Sequence, residues 1–234
     1  MHDVGQYVRH IRVLRAMSVR PPAAFYFDPI SPYAWLAGLQ VARLDEAGVQ
    51  VDFKPVLFAG LLAAHGTKGP AEVPAKRAYT FRDVMRQASA FGVRMTGPPA
   101  HPFNPLRALR MCIAVDDPDA RRRFGLALMD AAWRQGLDIT AADQLARIAV
   151  ENDLDGDALS RAADDPAVKE RLAAQTSAAV AAGIFGVPTF LIEGEIFWGA
   201  DRIDALLRRA AGNAIDERQL AAALARPAAA TRKV

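Results

Sequence analysis

The sequence is almost without cysteine, since Cys112 is the only one among 234 residues. A lone cysteine cannot form an intramolecular disulfide, and this cysteine usage indicates a protein of the reducing cytoplasm. Cys112 lies in the apolar-rich segment 110–113. We therefore interpret it as a packing residue rather than as a nucleophile.

Long apolar runs and clustered metal ligands are also missing. The longest apolar stretch, 178–192, is interrupted by Gly183, Gly186 and Pro188, so it falls short of the ~20 residues that a membrane-spanning helix needs. The histidines show none of the close spacings of a zinc site; they are His2, His10, His65 and His101. We expect a soluble protein without a metal ion and without a membrane partner.

An excess of one charge is absent from most of the chain. There are 29 basic and 26 acidic residues, and the net excess of +3 lies within residues 1–22. The balance elsewhere argues against a nucleic-acid partner, because phosphate binding needs a concentrated basic patch. Segment 1–22 lacks the apolar core of a secretory signal. We interpret it as a disordered extension, or as the result of a start codon placed upstream of Met17, with an amphipathic targeting peptide as the alternative.

The first structured segment predicts a strand, a helix and a second strand. An apolar run ends at the turn signal Asp28-Pro29, as in a buried strand. Ser31 followed by Pro32 is typical of a helix N-cap with proline at the first helical position, and Gly48 predicts the end of that helix. The predicted elements are a strand over 24–28, a helix over 33–47 and a strand over 49–57. Together they indicate a βαβ unit.

The rest of the chain changes from helices back to strands. Alanine-rich periodic stretches, opened by turn and cap signals, predict helix after helix from residue 58 to about residue 184. Residues 187–198 then predict a β-hairpin, because two apolar runs flank a Glu-Gly-Glu turn. Helices are predicted over 201–210 and 216–225. The resulting order is βαβ, then helices, then ββα.

This order resembles the α/β thioredoxin-like scaffold of the DsbA type, with a large all-helical insertion. That scaffold carries Cys-x-x-Cys at the start of its first helix and a cis-proline before a later strand. Here segments 31–34 and 187–189 stand at those positions, and both redox cysteines are absent, which excludes disulfide exchange. The predicted division is a basic extension (1–22), a thioredoxin-like domain (23–58 and 184–226), a helical insertion domain (59–183) and a tail (227–234).

Four short segments narrow the resemblance further: 28–33, 73–76, 185–189 and 197–202. In this order they are similar to the 2-hydroxychromene-2-carboxylate isomerase family, which is related to the kappa-class glutathione transferases. The resemblance implies a cytoplasmic enzyme of aromatic compound catabolism that uses glutathione as its cofactor. It also implies a homodimer.

The resemblance implies that Ser31 is the catalytic residue, whose hydroxyl stabilises the thiolate of bound glutathione. The free N–H groups and dipole of a helix N-terminus would favour the same anion. The alternative is that Ser31 only caps its helix. At Pro188 the resemblance implies a cis peptide bond, which would turn the backbone groups of Val187 towards the cysteinyl part of glutathione, as an added strand does.

The remaining implied contacts concern the two ends of glutathione. Asp201 would accept from the γ-glutamyl ammonium, and backbone N–H groups near Ala200 and Asp201 would bind the carboxylate beside it; a helix-capping acid is the alternative. Lys76 would bind the glycyl carboxylate or an acidic substrate, with a solvated surface lysine as the alternative. Thr67 stands where the kappa-like pattern often carries an asparagine, so the contact from this loop departs from the pattern.

The implied activity is cis-trans isomerisation of 2-hydroxychromene-2-carboxylate to trans-o-hydroxybenzylidenepyruvate, or of a close analogue. The route would be transient addition and elimination of the glutathione thiolate, and the partner would be a small aromatic α-keto acid. Two alternatives stay open. One is a kappa-like glutathione transferase that conjugates electrophiles, and the other is a non-catalytic thioredoxin-like module for binding or dimerisation.

Overall fold

A four-stranded mixed β-sheet organises the fold in the computed structural model, which describes residues 20–227. The strands are β1 (Ala23–Phe27), β2 (Val51–Pro55), β3 (Thr189–Ile192) and β4 (Glu195–Trp198). Their order in the sheet is β2-β1-β3-β4, in which β1 and β2 are parallel and the other two pairs are antiparallel. The predicted βαβ and ββα halves therefore share one sheet.

The connection between β1 and β2 contains two helices, α1 (Pro32–Gly38) and α2 (Val41–Glu46). The prediction of one helix over 33–47 is therefore wrong. The side-chain amide of Gln40 donates to the carbonyl of Leu36, the group to which the backbone N–H of Gln40 would donate in a continuous α-helix. That N–H donates to the carbonyl of Ala37 instead, and the α-helical bonding is interrupted at this point.

Seven α-helices lie between β2 and β3, besides one short 3₁₀ and one short π segment, and every residue of this part of the chain is described. They are α3 (Phe58–Ala64), α4 (Pro74–Ala90), α5 (Leu106–Ala114), α6 (Pro118–Asp130), α7 (Ala142–Val150), α8 (Gly156–Ala162) and α9 (Pro166–Ala181). Asp117, Asp155 and Asp165 cap α6, α8 and α9 by accepting a backbone N–H of the first turn. The predicted helical segment is confirmed.

Phenylalanine side chains form the buried face of the sheet. Phe25 stacks on Phe190 with ring centroids 4.5 Å apart, and it meets Phe53 edge to face at 5.0 Å. Burying each such side chain contributes roughly 1.5–3 kcal/mol. The same buried cluster includes Leu145 of α7, so the sheet and the helical segment share a core. The predicted division into two domains stays a prediction.

The last described elements are the hairpin and two helices, α10 (Ile203–Ala210) and α11 (Glu217–Leu224). The hairpin turn places Glu193 and Gly194 at φ values of 49° and 81°, as a tight two-residue turn requires. The predicted extension (1–22) lies outside the described residues except for 20–22, and the tail (227–234) except for residue 227. Within the described part of the chain, no helix is both long and apolar enough to cross a membrane.

Candidate functional site

The turn before α1 meets the loop before β3. Ser31 is the N-cap of α1, and its hydroxyl oxygen accepts the N–H of Ala34 at 3.2 Å. The same hydroxyl donates to the carbonyl of Val187 at 3.5 Å, and the peptide bond from Val187 to Pro188 is cis, as the resemblance implies. Ser31 therefore caps α1 and also contacts the loop at Val187 and Pro188, the second segment in which the sequence resembles the DsbA-type scaffold.

The backbone of the turn after β4 forms hydrogen bonds with the neighbouring parts of this site. The N–H of Gly199 donates to the carbonyl of Pro188 at 3.0 Å, and the side-chain amide of Gln40 donates to the carbonyl of Ala200 at 2.9 Å. Gly199 has a φ of 117°, a backbone angle that residues other than glycine rarely adopt. Asp201 is exposed and pairs with Arg202 at 3.1 Å. The structure thus brings together the turn at 199–201, the Pro188 loop and α1.

Thr67 and Lys76 lie on the segment that follows α3, and no bond joins either residue to Ser31. Both are exposed, with Lys76 in the first turn of α4. The segment is tied to the site indirectly, because His65 at the end of α3 contacts the carbonyl of Ile184 at 3.2 Å. Tyr33 of α1 also donates to Asp83 of α4 at 2.9 Å. Their participation in a ligand site stays a prediction.

Asp28 is a buried carboxylic acid that the sequence marked only as a turn residue. One of its oxygens accepts the N–H of Ile30 at 3.0 Å, and the other accepts the N–H of Phe58 at 2.9 Å. Its side chain is fully buried. Burial raises the pKa of Asp28 to about 7, although the two N–H groups act in the opposite direction. In the sequence this acid directly follows a predicted buried strand, a position that an ordinary turn residue also takes.

Two further side chains fix the turn from the helical segment, and sequence reasoning missed both. The indole N–H of Trp133 donates to the carbonyl of Pro29 at 2.9 Å. The ring Nε2 of His101 lies 3.2 Å from the carbonyl of Ile30, so this nitrogen carries the proton. Burial lowers the pKa of His101, which favours its neutral form. The residues before Ser31 are therefore held at several points before any ligand binds.

Cys112 lies away from this turn, in α5, where its side chain is fully buried. Burial raises the pKa of its thiol to about 12, so almost none of it ionises at neutral pH. The predicted packing role fits this environment. Across residues 20–227, no group of three or more histidine, cysteine or acidic side chains is arranged to hold a metal ion.

Comparisons with known proteins agree with the fold and with the predicted family. The sequence model of the DSBA-like thioredoxin domain matches residues 24–211. A 2-hydroxychromene-2-carboxylate isomerase of Sphingobium xenophagum is 29% identical over 78% of this chain and 94% of its own. Glutathione S-transferase kappa 1 of Rattus norvegicus is 25% identical over 77% of this chain and 87% of its own.

A solved structure of a 2-hydroxychromene-2-carboxylate isomerase superposes with a TM-score of 0.76, at 24% identity, over 88% of this chain and all of its own. The predicted fold and the predicted resemblance are therefore confirmed. With its sheet order, its cis-proline loop and a family match that spans most of its length, the chain belongs to the DsbA-like thioredoxin domain family.

Proposed function

We propose that the protein is a glutathione-dependent isomerase that interconverts 2-hydroxychromene-2-carboxylate and trans-o-hydroxybenzylidenepyruvate, or a close analogue. The observation that carries the proposal is the meeting of the Ser31 hydroxyl with the backbone of Val187 at the start of α1. The isomerase relative, which aligns over nearly its whole length, supports the substrate class. We further propose a homodimer that acts in the cytoplasm.

The residues at this turn fit a peptide that carries a thiol. The bond from Ser31 to Val187 is long for an O–H···O bond, so the hydroxyl can turn to another acceptor at little cost. Among the backbone hydrogen bonds of the described residues, none uses the N–H of Tyr33 as donor, and this group lies in the first turn of α1. We propose these two groups as the donors to the anion.

Bound glutathione would supply a thiolate that adds to the conjugated carbon of the substrate, permits rotation about the resulting single bond and is then eliminated. Ser31 would donate a hydrogen bond to the sulfur and so favour its ionised form. Val187 would offer its backbone to the cysteinyl residue. Asp201 would accept from the γ-glutamyl ammonium, and Lys76 would neutralise a carboxylate of glutathione or of the substrate. Thr67 would contribute a hydroxyl from the loop between them.

Replacing Ser31 with alanine tests the proposal. The Ser31→Ala variant is expected to lose the thiolate ultraviolet absorbance of bound glutathione, because the sulfur loses its side-chain donor. Turnover of the chromene should fall about 100-fold, the usual effect of removing one donor to a developing anion. Absorbance titration and steady-state kinetics measure the two effects.

The Ser31→Ala change also removes a helix cap, which costs about 1 kcal/mol. Asp155→Ala removes the cap of α8, and it serves as the control. This variant should lose similar stability and keep its turnover. Unchanged absorbance and turnover in Ser31→Ala would reduce Ser31 to a helix cap.

Lys76→Ala is expected to raise the KM for glutathione about tenfold while kcat changes little, because a pairing with a carboxylate that does not react contributes to binding alone. The matched control is Lys169→Ala, which removes another exposed lysine, from α9. A fall in kcat with unchanged KM would instead assign Lys76 to the reacting substrate. An effect equal to that of the control would leave it as a surface lysine.

A kappa-like transferase is the second candidate, and the 25% identity to a kappa-class enzyme favours it. The two activities differ in the fate of glutathione, which an isomerase regenerates and a transferase consumes. Free thiol should therefore stay constant while the chromene turns over. Its loss in the presence of a chlorinated aromatic electrophile would support the transferase, and no glutathione binding by calorimetry would support the non-catalytic module.

A further inference from the structure

Two distant parts of the backbone converge on the carboxyl group of Asp28. The N–H of Ile30 belongs to the turn that carries Ser31, and the N–H of Phe58 belongs to the first turn of α3. Each bonds to a different oxygen of Asp28, at 3.0 and 2.9 Å. The carbonyl of Asp28 also accepts the N–H of Ser31 at 3.0 Å. Asp28 therefore links the Ser31 turn to α3 directly.

Helix α3 leads to the segment that carries Thr67 and Lys76. The N–H of Leu57, next to Phe58, is held by the hydroxyl of Thr176 at 3.1 Å, so the start of α3 has two side-chain anchors. Among the described residues, Asp28 is the only one whose side chain hydrogen-bonds both to the start of α3 and to the Ser31 turn. A shift of α3 relative to Asp28 would move the following segment, which carries Thr67 and leads to Lys76, relative to Ser31, although the bond from Tyr33 to Asp83 ties α4 to α1 separately.

We propose that Asp28 is a positioning residue, which sets the separation between the Ser31 turn and the helix leading to Lys76. This inference rests on the proposed function, because the two sides of the glutathione site are what it positions. A carboxyl group suits the task, since each of its two oxygens can accept one N–H. An asparagine has only one such oxygen, so its NH₂ group would face one of the two N–H donors.

The test measures glutathione binding to Asp28→Asn by calorimetry, together with the pKa of the bound thiol by ultraviolet absorbance. Loss of positioning should raise the Kd for glutathione about tenfold and should raise the thiol pKa towards that of free glutathione. Loss of a negative charge alone would instead lower the thiol pKa, because a nearby carboxylate disfavours the thiolate. Leu145→Ala, in the buried part of α7, controls for lost stability and should keep both values.

A second pair of variants isolates the bond itself and covers the case in which Asp28→Asn does not fold. Phe58 is the first residue of α3, where proline is tolerated because an N–H is not needed for the helix. Phe58→Pro removes the N–H that Asp28 accepts, whereas Phe58→Ala removes only the ring. Phe58→Pro should bind glutathione several-fold more weakly than Phe58→Ala.

Each outcome has one meaning. Wild-type affinity in Asp28→Asn, equal affinity in the two Phe58 variants, or a lowered thiol pKa with unchanged Kd would overturn the positioning role and leave the proposed function intact. A wild-type protein that binds no glutathione would overturn the proposed function itself. The two failures are therefore distinguishable by the wild-type titration.

Discussion

Raising the pH from about 5 to about 8 is expected to cost the wild-type protein about 3 kcal/mol of stability that the Asp28→Asn variant does not lose. The pKa of Asp28 is about 7 in the folded state and 3.8 as its ordinary value. Between these values the unfolded chain has released the proton while the folded chain retains it. Stability from this group is therefore complete below about pH 4 and is lost as the pH rises through 7.

Urea unfolding at several pH values measures this effect as the difference between the free energies of unfolding of the two proteins. Titrations of all other groups cancel in that difference. Leu145→Ala is the control, because it removes buried apolar surface and no titratable group. Its curve should stay parallel to that of the wild type. A parallel curve for Asp28→Asn would mean that Asp28 is ionised at little cost in the folded state.

Local chemistry explains which parts of the fold were predictable from the sequence. At the start of α1, Ser31 and Pro32 supply a cap and a first helical residue within two positions, and the structure uses them in this way. The hairpin of β3 and β4 likewise depends on the turn at Gly194. Features of this kind need only neighbouring residues, so a sequence pattern is enough to indicate them.

The parts that could not be predicted depend on contacts between distant residues. Gln40 breaks the helix after α1 because its amide bonds to Leu36 and also to Ala200, far along the chain. Asp28 finds one of its partners at Phe58, and Trp133 reaches back to Pro29. No local pattern distinguishes such an acid or indole from an ordinary turn or core residue. The turn that precedes Ser31 was therefore visible in the sequence, but its supports were not.

The junction of α7 and α8 is expected to tolerate no side chain at Gly156. A Cβ atom there would lie 2.3 Å from the carbonyl oxygen of Ala146 and 2.9 Å from its carbonyl carbon. These are backbone atoms, so neither can rotate away, and the two helices must separate. Gly156→Ala should cost about 3 kcal/mol or more, measured as the shift in the urea midpoint at constant slope.

Gly48→Ala provides the matched control for this close approach. Gly48 has a φ of 76°, and a Cβ atom added to it would meet nothing within 4 Å, so alanine there meets only backbone strain of about 1–2 kcal/mol. Gly156→Ala should lose more stability than Gly48→Ala, although the helical backbone at residue 156 suits alanine better than the positive φ at residue 48. Because Gly156 lies at the junction of α7 and α8, which carries none of the predicted site residues, the thiol pKa of bound glutathione should be unaffected in Gly156→Ala. Equal costs for the two would mean that α7 and α8 separate easily, and that the shared core does not hold these helices at a fixed distance.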